Sequence, residues 1–513
     1  MAAPHASTVT MAGDDQGTQG AQGSALGDDD IFLSKENGND EKTTLMTERL
    51  ATYADPSTFY VSKTESVGIN FWLASMSFAK ADLFNVEFAS EVASMYPQKA
   101  GVTSLYNPTY QTNDPSTGVS YQAMIKPPDD IPYHLIFVCQ QKGRPIDDYR
   151  GRYFFDDADP IPGRDVPVYL VDTGATLDNP EFYLIRDKVE WLHAGKDMDG
   201  GNAEDDSAID PRQINTLVTG HGTSMLSLVT GAHCGVSKGV MPILVRVPRR
   251  GFAGDGSSRG GDSTNEDYIE AISRVNDHLT EKTTEAKAIV LLAQHHERGN
   301  FVRNEKGLLA TKDDAERKDF SAGFSTRMRF LLTDLASKGA LIVTGTGNDK
   351  DNTDMIDGFP ANFGRVDENP IPELLAVGAV NSTSFVRHFQ VDYAHGLPHI
   401  FAPGQGVKAA EGSPNNWVLP ENTHYKTSHG TSCAAAITAG LAAYFLRLVQ
   451  IGHLRIDNSV LGLKNHILSD TVAWSRGPGP IGEELPAICN GLVIKSNPEP
   501  WIPPNPAPGP GPQ

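Results

Sequence analysis

From about residue 151 of this 513-residue chain, short apolar runs alternate with stretches of helical spacing. That alternation constrains the fold more than any other feature. Residues 166–171 form an apolar run that ends at Asp172, and 241–247, 288–293, 340–344 and 374–380 read as further strands. Residues 266–278, with Ile269, Ile272 and Val275 on one side, read as a helix. So do 328–335 and a long segment from Ser432 to about Leu448. Strand–helix alternation predicts an α/β fold: a mostly parallel central sheet with right-handed crossovers and helices on both faces. In such sheets ligands gather at the carboxyl ends of the strands, where Asp172 and Asn348 fall.

Four short segments sit at the ends of these elements: Asp172-Thr173-Gly174, His221-Gly222-Thr223, Gly347-Asn348 and Gly430-Thr431-Ser432. A serine hydroxyl is a poor nucleophile at neutral pH and needs a base, which in turn needs an orienting carboxylate. Ser432, His221 and Asp172 supply these groups. Ser432 opens an apolar helix whose first N–H groups favour developing negative charge. Asn348, on a Gly-rich loop, supplies an amide that can donate to a tetrahedral oxyanion, with the Ser432 N–H as second donor. Singly, each segment is an ordinary turn or helix cap; together they point to acyl transfer.

These motifs resemble those of the subtilisin-like serine peptidases (the subtilases): D-[ST]-G, H-G-T, a Gly-Asn loop and G-T-S-x-A, in the order acid, base, nucleophile. The similarity continues between motifs, through Gly239-Val240-Met241-Pro242, Phe359-Pro360-Ala361, residues 376–380, Phe401-Ala402-Pro403-Gly404 and Gly491-Leu492-Val493. It spans about 151–496 and leaves 1–140 uncovered. The resemblance implies a three-layer subtilisin-like fold and a serine endopeptidase acting on peptides or proteins through an acyl-enzyme on Ser432. A catalytically silent protein on the same fold is the alternative, against which the intact triad speaks.

The family's substrate-binding strand usually reads S-x-G, with backbone groups that pair to an extended peptide. Here the stretch is Leu291-Leu292-Ala293-Gln294-His295-His296. Leu291, Leu292, Ala293 and Gln294 are the expected substrate-binding residues, with Gln294 in a place usually given to glycine, which implies a narrowed pocket for small side chains. His295 and His296 are adjacent on a strand, so one is expected buried and the other exposed. The chemistry requires no cofactor. Many subtilases bind structural calcium, but the acidic stretch 197–210 fails the EF-hand pattern and reads as a solvated loop. Cys433, after the nucleophile, and Cys234 read as small buried hydrophobes, or else as sites of sensitivity to bulky thiol reagents.

The net charge of −21, from 64 acidic residues against 43 Lys and Arg, argues against a nucleic-acid partner. No apolar run of about 18 residues stands out as a membrane span. The N-terminus lacks signal-peptide features, so the default compartment is cytoplasmic, with a secreted form as the alternative. The four cysteines show no metal-ligand spacing. Residues 1–40 read as disordered. Residues 41–150 read as an α+β region whose position and size suit the removable prodomain that the resemblance implies, with a cut between about 140 and 157. Within it, 67–80 reads as a partly buried helix and Leu135-Ile136-Phe137-Val138 as a short strand. The subtilisin-like domain follows over 151–496, and a Pro/Gly-rich extended tail over 497–513.

Overall fold

The computed structural model describes residues 29–35, 40–54, 59–64, 68–76, 78–88, 92–97, 120–121, 124–125, 131–149, 153–155, 161–195, 220–248, 263–282, 287–305, 310, 313–348, 355–367, 369–381, 392–412, 425–478 and 484–491. The acidic stretch 197–210, Leu492 and Val493, and the Pro/Gly-rich tail lie outside the described residues.

The N-terminal part is a βαββαβ unit: β1 (Asp29–Lys35), α1 (Asp40–Tyr53), β2 (Tyr60–Thr64), β3 (Gly68–Met76), α2 (Phe78–Glu87) and β4 (Val92–Pro97). Its sheet runs in the order β2-β3-β1-β4 with antiparallel pairing throughout. Two expectations are corrected here. The stretch up to residue 40, read as disordered, contains β1, which pairs on both sides. Residues 67–80, read as one helix, are the strand β3 followed by the start of α2. Both faces of β3 are covered, so its apolar residues run on without the alternation that marks a half-buried strand. Trp72, Ala74 and Met76 pack in one apolar cluster with residues of α1 and α2, while Phe71 and Leu73 join a second cluster with residues of the main domain.

A two-residue ladder, β5 (Ser120–Tyr121) with β6 (Met124–Ile125), comes next, and then α3 (Tyr133–Cys139). The expected strand at Leu135–Val138 is therefore a helix. Every residue from His134 to Cys139 is buried, and a short apolar run submerged on all sides carries no period to tell helix from strand. This helix packs with the main core beside the segment Val407–Ala410. Residues 131–149 thus belong with the main domain, which corrects the boundary drawn at 150.

That domain is built on a nine-stranded sheet. Its strands are β7 (Pro167–Asp172), β8 (Glu190–His193), β9 (Met241–Arg246), β10 (Ala288–Leu292), β13 (Ala340–Gly345), β14 (Leu374–Asn381), β15 (Ile400–Gln405), β18 (Ala473–Pro478) and β19 (Glu484–Ile488), with β11 (Val302–Asn304) and β12 (Arg317–Asp319) forming a separate ladder. The order is β18-β19-β15-β14-β13-β10-β7-β9-β8, parallel except for the β18–β19 pair. One face carries α4 (His221–Thr230) and α7 (Thr431–Gln450), and the other carries α5 (Asn265–Glu281) and α6 (Ser321–Ser337). A hairpin, β16 (Val407–Ala410) with β17 (Tyr425–Ser428), lies beside α4, and α8 (Val460–Ile467) packs on α7. The predicted three-layer α/β architecture with a mostly parallel sheet is present.

Helix α7 corrects a further expectation, since it is long and apolar enough to cross a membrane. It is the central core helix: its run of Ala434, Ala435 and Ala436 lets it lie close on the sheet, and almost all of it is buried.

The N-terminal unit meets the main domain on α5 and α6 through a buried polar network. The Tyr60 O–H donates to Glu270 Oε2 at 2.5 Å, and the Thr64 and Ser273 hydroxyls lie 2.7 Å apart. Arg327 Nη2 donates to the Ile69 carbonyl at 3.1 Å and to Asn70 Oδ1 at 3.2 Å. Burial holds the Arg327 guanidinium down to about 10.

Candidate active site

Asp172 is the last residue of β7, and His221 is the first of α4, after Gly220 in the left-handed conformation (φ 62°). Ser432 lies in the first turn of α7. The three meet although Ser432 and His221 are 211 positions apart. His221 Nδ1 lies 2.9 Å from both carboxylate oxygens of Asp172, and His221 Nε2 lies 3.3 Å from Ser432 Oγ. A carboxylate accepts only, so Nδ1 carries the proton and Nε2 is left to accept from the serine. All three groups are at most 6% exposed, which strengthens each electrostatic contact.

The threonine of each motif acts as a tie. Thr173 Oγ1 donates to Asp172 Oδ1 at 3.2 Å and accepts from the Gly222 N–H at 3.2 Å. Thr223 Oγ1 accepts from the Thr176 N–H at 2.8 Å. Thr431 Oγ1 donates to Asn348 Oδ1 at 3.1 Å and accepts from the Gly347 N–H at 3.1 Å. Sequence reasoning treated these threonines as motif letters only. Gly222 allows the close approach, since a Cβ there would stand 2.0 Å from the Gly174 carbonyl oxygen. At Gly430 (φ 140°), a Cβ would sit 3.1 Å from Ser432 Oγ and 3.4 Å from Asn348 Nδ2, so the Asn348 amide flanks the serine hydroxyl. Tyr268 on α5 is buried near this carboxylate: its phenol is pushed well up, first by burial and then by Asp172.

The expected substrate strand is only partly accessible. Leu291 and Leu292 lie within β10, between β7 and β13, paired on both edges: Leu291 with Leu170 and Val343, Leu292 with Val171 and Thr344. They cannot add a peptide strand, and their side chains point into opposite core clusters. That part of the expectation is corrected. Ala293 and Gln294 lie beyond the ladder, before the bridge of His296 to Phe359. Gln294 is buried, and its Nε2 donates to Ser263 Oγ at 3.4 Å. The ring that closes this stretch belongs to His295, which lies against Gly358 where a Cβ would stand 2.1 Å from Nε2. Both His295 and His296 are buried, which corrects the expected one-in, one-out arrangement. Burial pulls the His295 imidazole down to about 4, and His296 Nδ1 lies 2.7 Å from Asn265 Oδ1.

Cys139, Cys234, Cys433 and Cys489 are free and buried. Burial pushes the Cys433 thiol up to about 12, and Cys234 is raised well above its ordinary value by burial and by Glu181. Among the described residues no group of three or more His, Cys, Asp or Glu side chains is placed to hold a metal ion.

The sequence profile of the subtilase family matches residues 163–454, more than half of the chain. The chain belongs to the subtilase family. This subtilase is 26% identical over 308 residues to a cuticle-degrading serine protease of Arthrobotrys oligospora, across 60% of this chain and 58% of that protein. It is also 26% identical over 311 residues to an extracellular serine proteinase of Thermus sp. strain Rt41A, across 60% of this chain and 55% of that one. The match therefore spans little more than half the length of these relatives. Among solved structures it resembles the epidermin leader peptide processing serine protease of Staphylococcus aureus, with a TM-score of 0.53 over 90% of this chain and 96% of that chain. At 10% identity that likeness concerns the fold alone.

Proposed function

We propose that this subtilase is a serine endopeptidase in which Ser432 is the nucleophile, His221 the general base, Asp172 the orienting acid and Asn348 an oxyanion donor. The observation that carries the reading is the unbroken chain Asp172–His221–Ser432, at 2.9 and 3.3 Å. The Ser432 proton passes to His221 Nε2 as Oγ attacks the scissile carbonyl. Asn348 Nδ2 and the Ser432 N–H receive the oxyanion. His221 returns the proton to the leaving amine, and water then releases the acyl group by the same route. Asp172 holds the Nδ1–H tautomer throughout.

The substrate chain would lie along Ala293, Gln294 and His295, outside the sheet ladder. A side-chain pocket there is narrowed by the His295 ring as well as by Gln294, which favours small residues. The N-terminal βαββαβ unit reads as a prodomain seated on α5 and α6. Its seat combines hydrogen-bonded polar groups with the apolar contacts of Phe71 and Leu73, so its release would expose both. Any cut that frees it would fall before Tyr133, not between 140 and 157, since α3 is part of the main core. The extracellular relative favours an exported protein.

Labelling with a fluorophosphonate probe tests the whole reading. Wild type should carry one adduct on Ser432 and Ser432→Ala none. A Ser432→Ala protein that still cleaves peptides refutes the assignment.

A further inference from the structure

Outside the reacting groups, one buried carboxylate touches all three segments that present the triad. Glu181 stands in the short 3-10 turn Pro180–Phe182, which closes the loop after Asp172. Its Oε1 accepts the N–H groups of His233 at 2.9 Å and Cys234 at 2.5 Å, and its backbone carbonyl accepts the Ala232 N–H at 2.8 Å. Those three residues form the turn that ends α4, the helix that begins with His221. Its Oε2 accepts the Tyr425 O–H at 2.9 Å. Tyr425 opens β17, the strand that leads through Gly430 to Ser432, and it pairs with Ala410 across the hairpin. Ala410 is bonded in turn to α4: its carbonyl accepts from Ser224 Oγ, and its N–H donates to Ser227 Oγ, both at 2.9 Å.

We propose that Glu181 is a positioning residue for the triad, holding the Asp172 loop, the His221 helix and the strand entering Ser432 in one register. The proposal rests on the peptidase reading of those three groups. A buried carboxylate is costly to desolvate, and packing alone needs none. Here the side chain is 1% exposed and is met by donors from two separate segments. Lys238, whose Nζ is bound by the Gly231 and Ala232 carbonyls at 3.1 Å, supplies positive charge beside it. Lys408 lies 4.7 Å from the Tyr425 ring centre. The His221–Ser432 contact is already at 3.3 Å, so a few tenths of an ångström decide whether proton transfer is direct, and displacement near 1 Å costs about 100-fold in rate.

The deciding variant is Tyr425→Phe, which removes one oxygen and leaves the ring. Its kcat and its rate of fluorophosphonate labelling should fall together by about 5- to 20-fold with KM within about twofold, and its thermal midpoint should stay close to wild type. Glu181→Gln, which keeps the shape, should lose more. A second measurement does not depend on turnover: the low-field Nδ1–H proton resonance of His221 should shift or broaden in Tyr425→Phe. Unchanged kcat, labelling and resonance in a folded Tyr425→Phe protein overturn the proposal. Absence of labelling in wild type would instead refute the peptidase reading, and the resonance would still decide whether Glu181 sets the His221 environment.

Discussion

The side-chain carbonyl of Asn348 accepts the backbone N–H of Thr431 at 2.9 Å, which locks the amide to the residue just before Ser432. With the carbonyl so engaged, the nitrogen of the same amide is turned toward the nucleophile. Asn348→Asp keeps the acceptor and loses the donor. Removing one oxyanion donor from subtilisin, a relative within the family, costs about 10²–10³ in turnover. A loss on that scale, with KM little changed, is expected here. Steady-state kinetics on a peptide ester would check it, and a variant within threefold of wild type would remove Asn348 from the oxyanion site.

His295→Gly should widen the pocket. The ring now packs on Gly358, so its removal opens space for a larger substrate side chain. A peptide library read by mass spectrometry should show cleavage spreading from small toward aromatic residues at the position before the scissile bond. Unaltered preference would mean that His295 lies away from the bound peptide.

Acid should destabilise the fold through its buried histidines. Burial pulls His134 and His295 down to about 4, and burial with nearby Lys464 pulls His399 down to about 3. The unfolded chain binds protons near 6.5 while the native state does not. Their stability is therefore complete above 6.5 and is lost as pH falls toward 4. Each of the first two contributes about 3 kcal/mol at full effect. Glu181, raised by burial, acts in the opposite direction and regains stability as it protonates. Urea midpoints measured from pH 7.5 to 4.5 should fall; a flat profile would contradict this account.

Thiol reagents should leave the native protein untouched. The Cys234 and Cys433 thiols are buried and raised, and the thiol form is a weak nucleophile. Titration with a chromogenic disulfide should report these cysteines only after denaturation. Rapid loss of activity in the native state would show that the site opens.

Intact mass locates any maturation cut. Purified active protein that has lost its N-terminal unit should begin before Tyr133 and retain α3. A mature form starting after residue 140 would show that α3 is dispensable to the core.

Much of the main domain was legible because its strands end in chemistry. Asp172 closes an apolar run, and Ser432 opens a helix of small residues, so pattern and motif agreed. Two of the failures share one physical origin: β3 and α3 are covered on both sides, and a covered segment has no period to read. Leu291 and Leu292 were misjudged because edge or interior position in a sheet depends on strands distant in sequence. Glu181 was invisible for the same reason, since its partner Tyr425 lies 244 positions away.

The 211-residue separation of His221 and Ser432 has a consequence during synthesis. In chain order β10, β13, β14 and β15 all fall between the helix that begins with His221 and the helix that bears Ser432. A growing chain therefore carries its acid and base long before it owns a nucleophile. On the proposed reading, peptidase activity can arise only after the segment that carries Ser432 has been made.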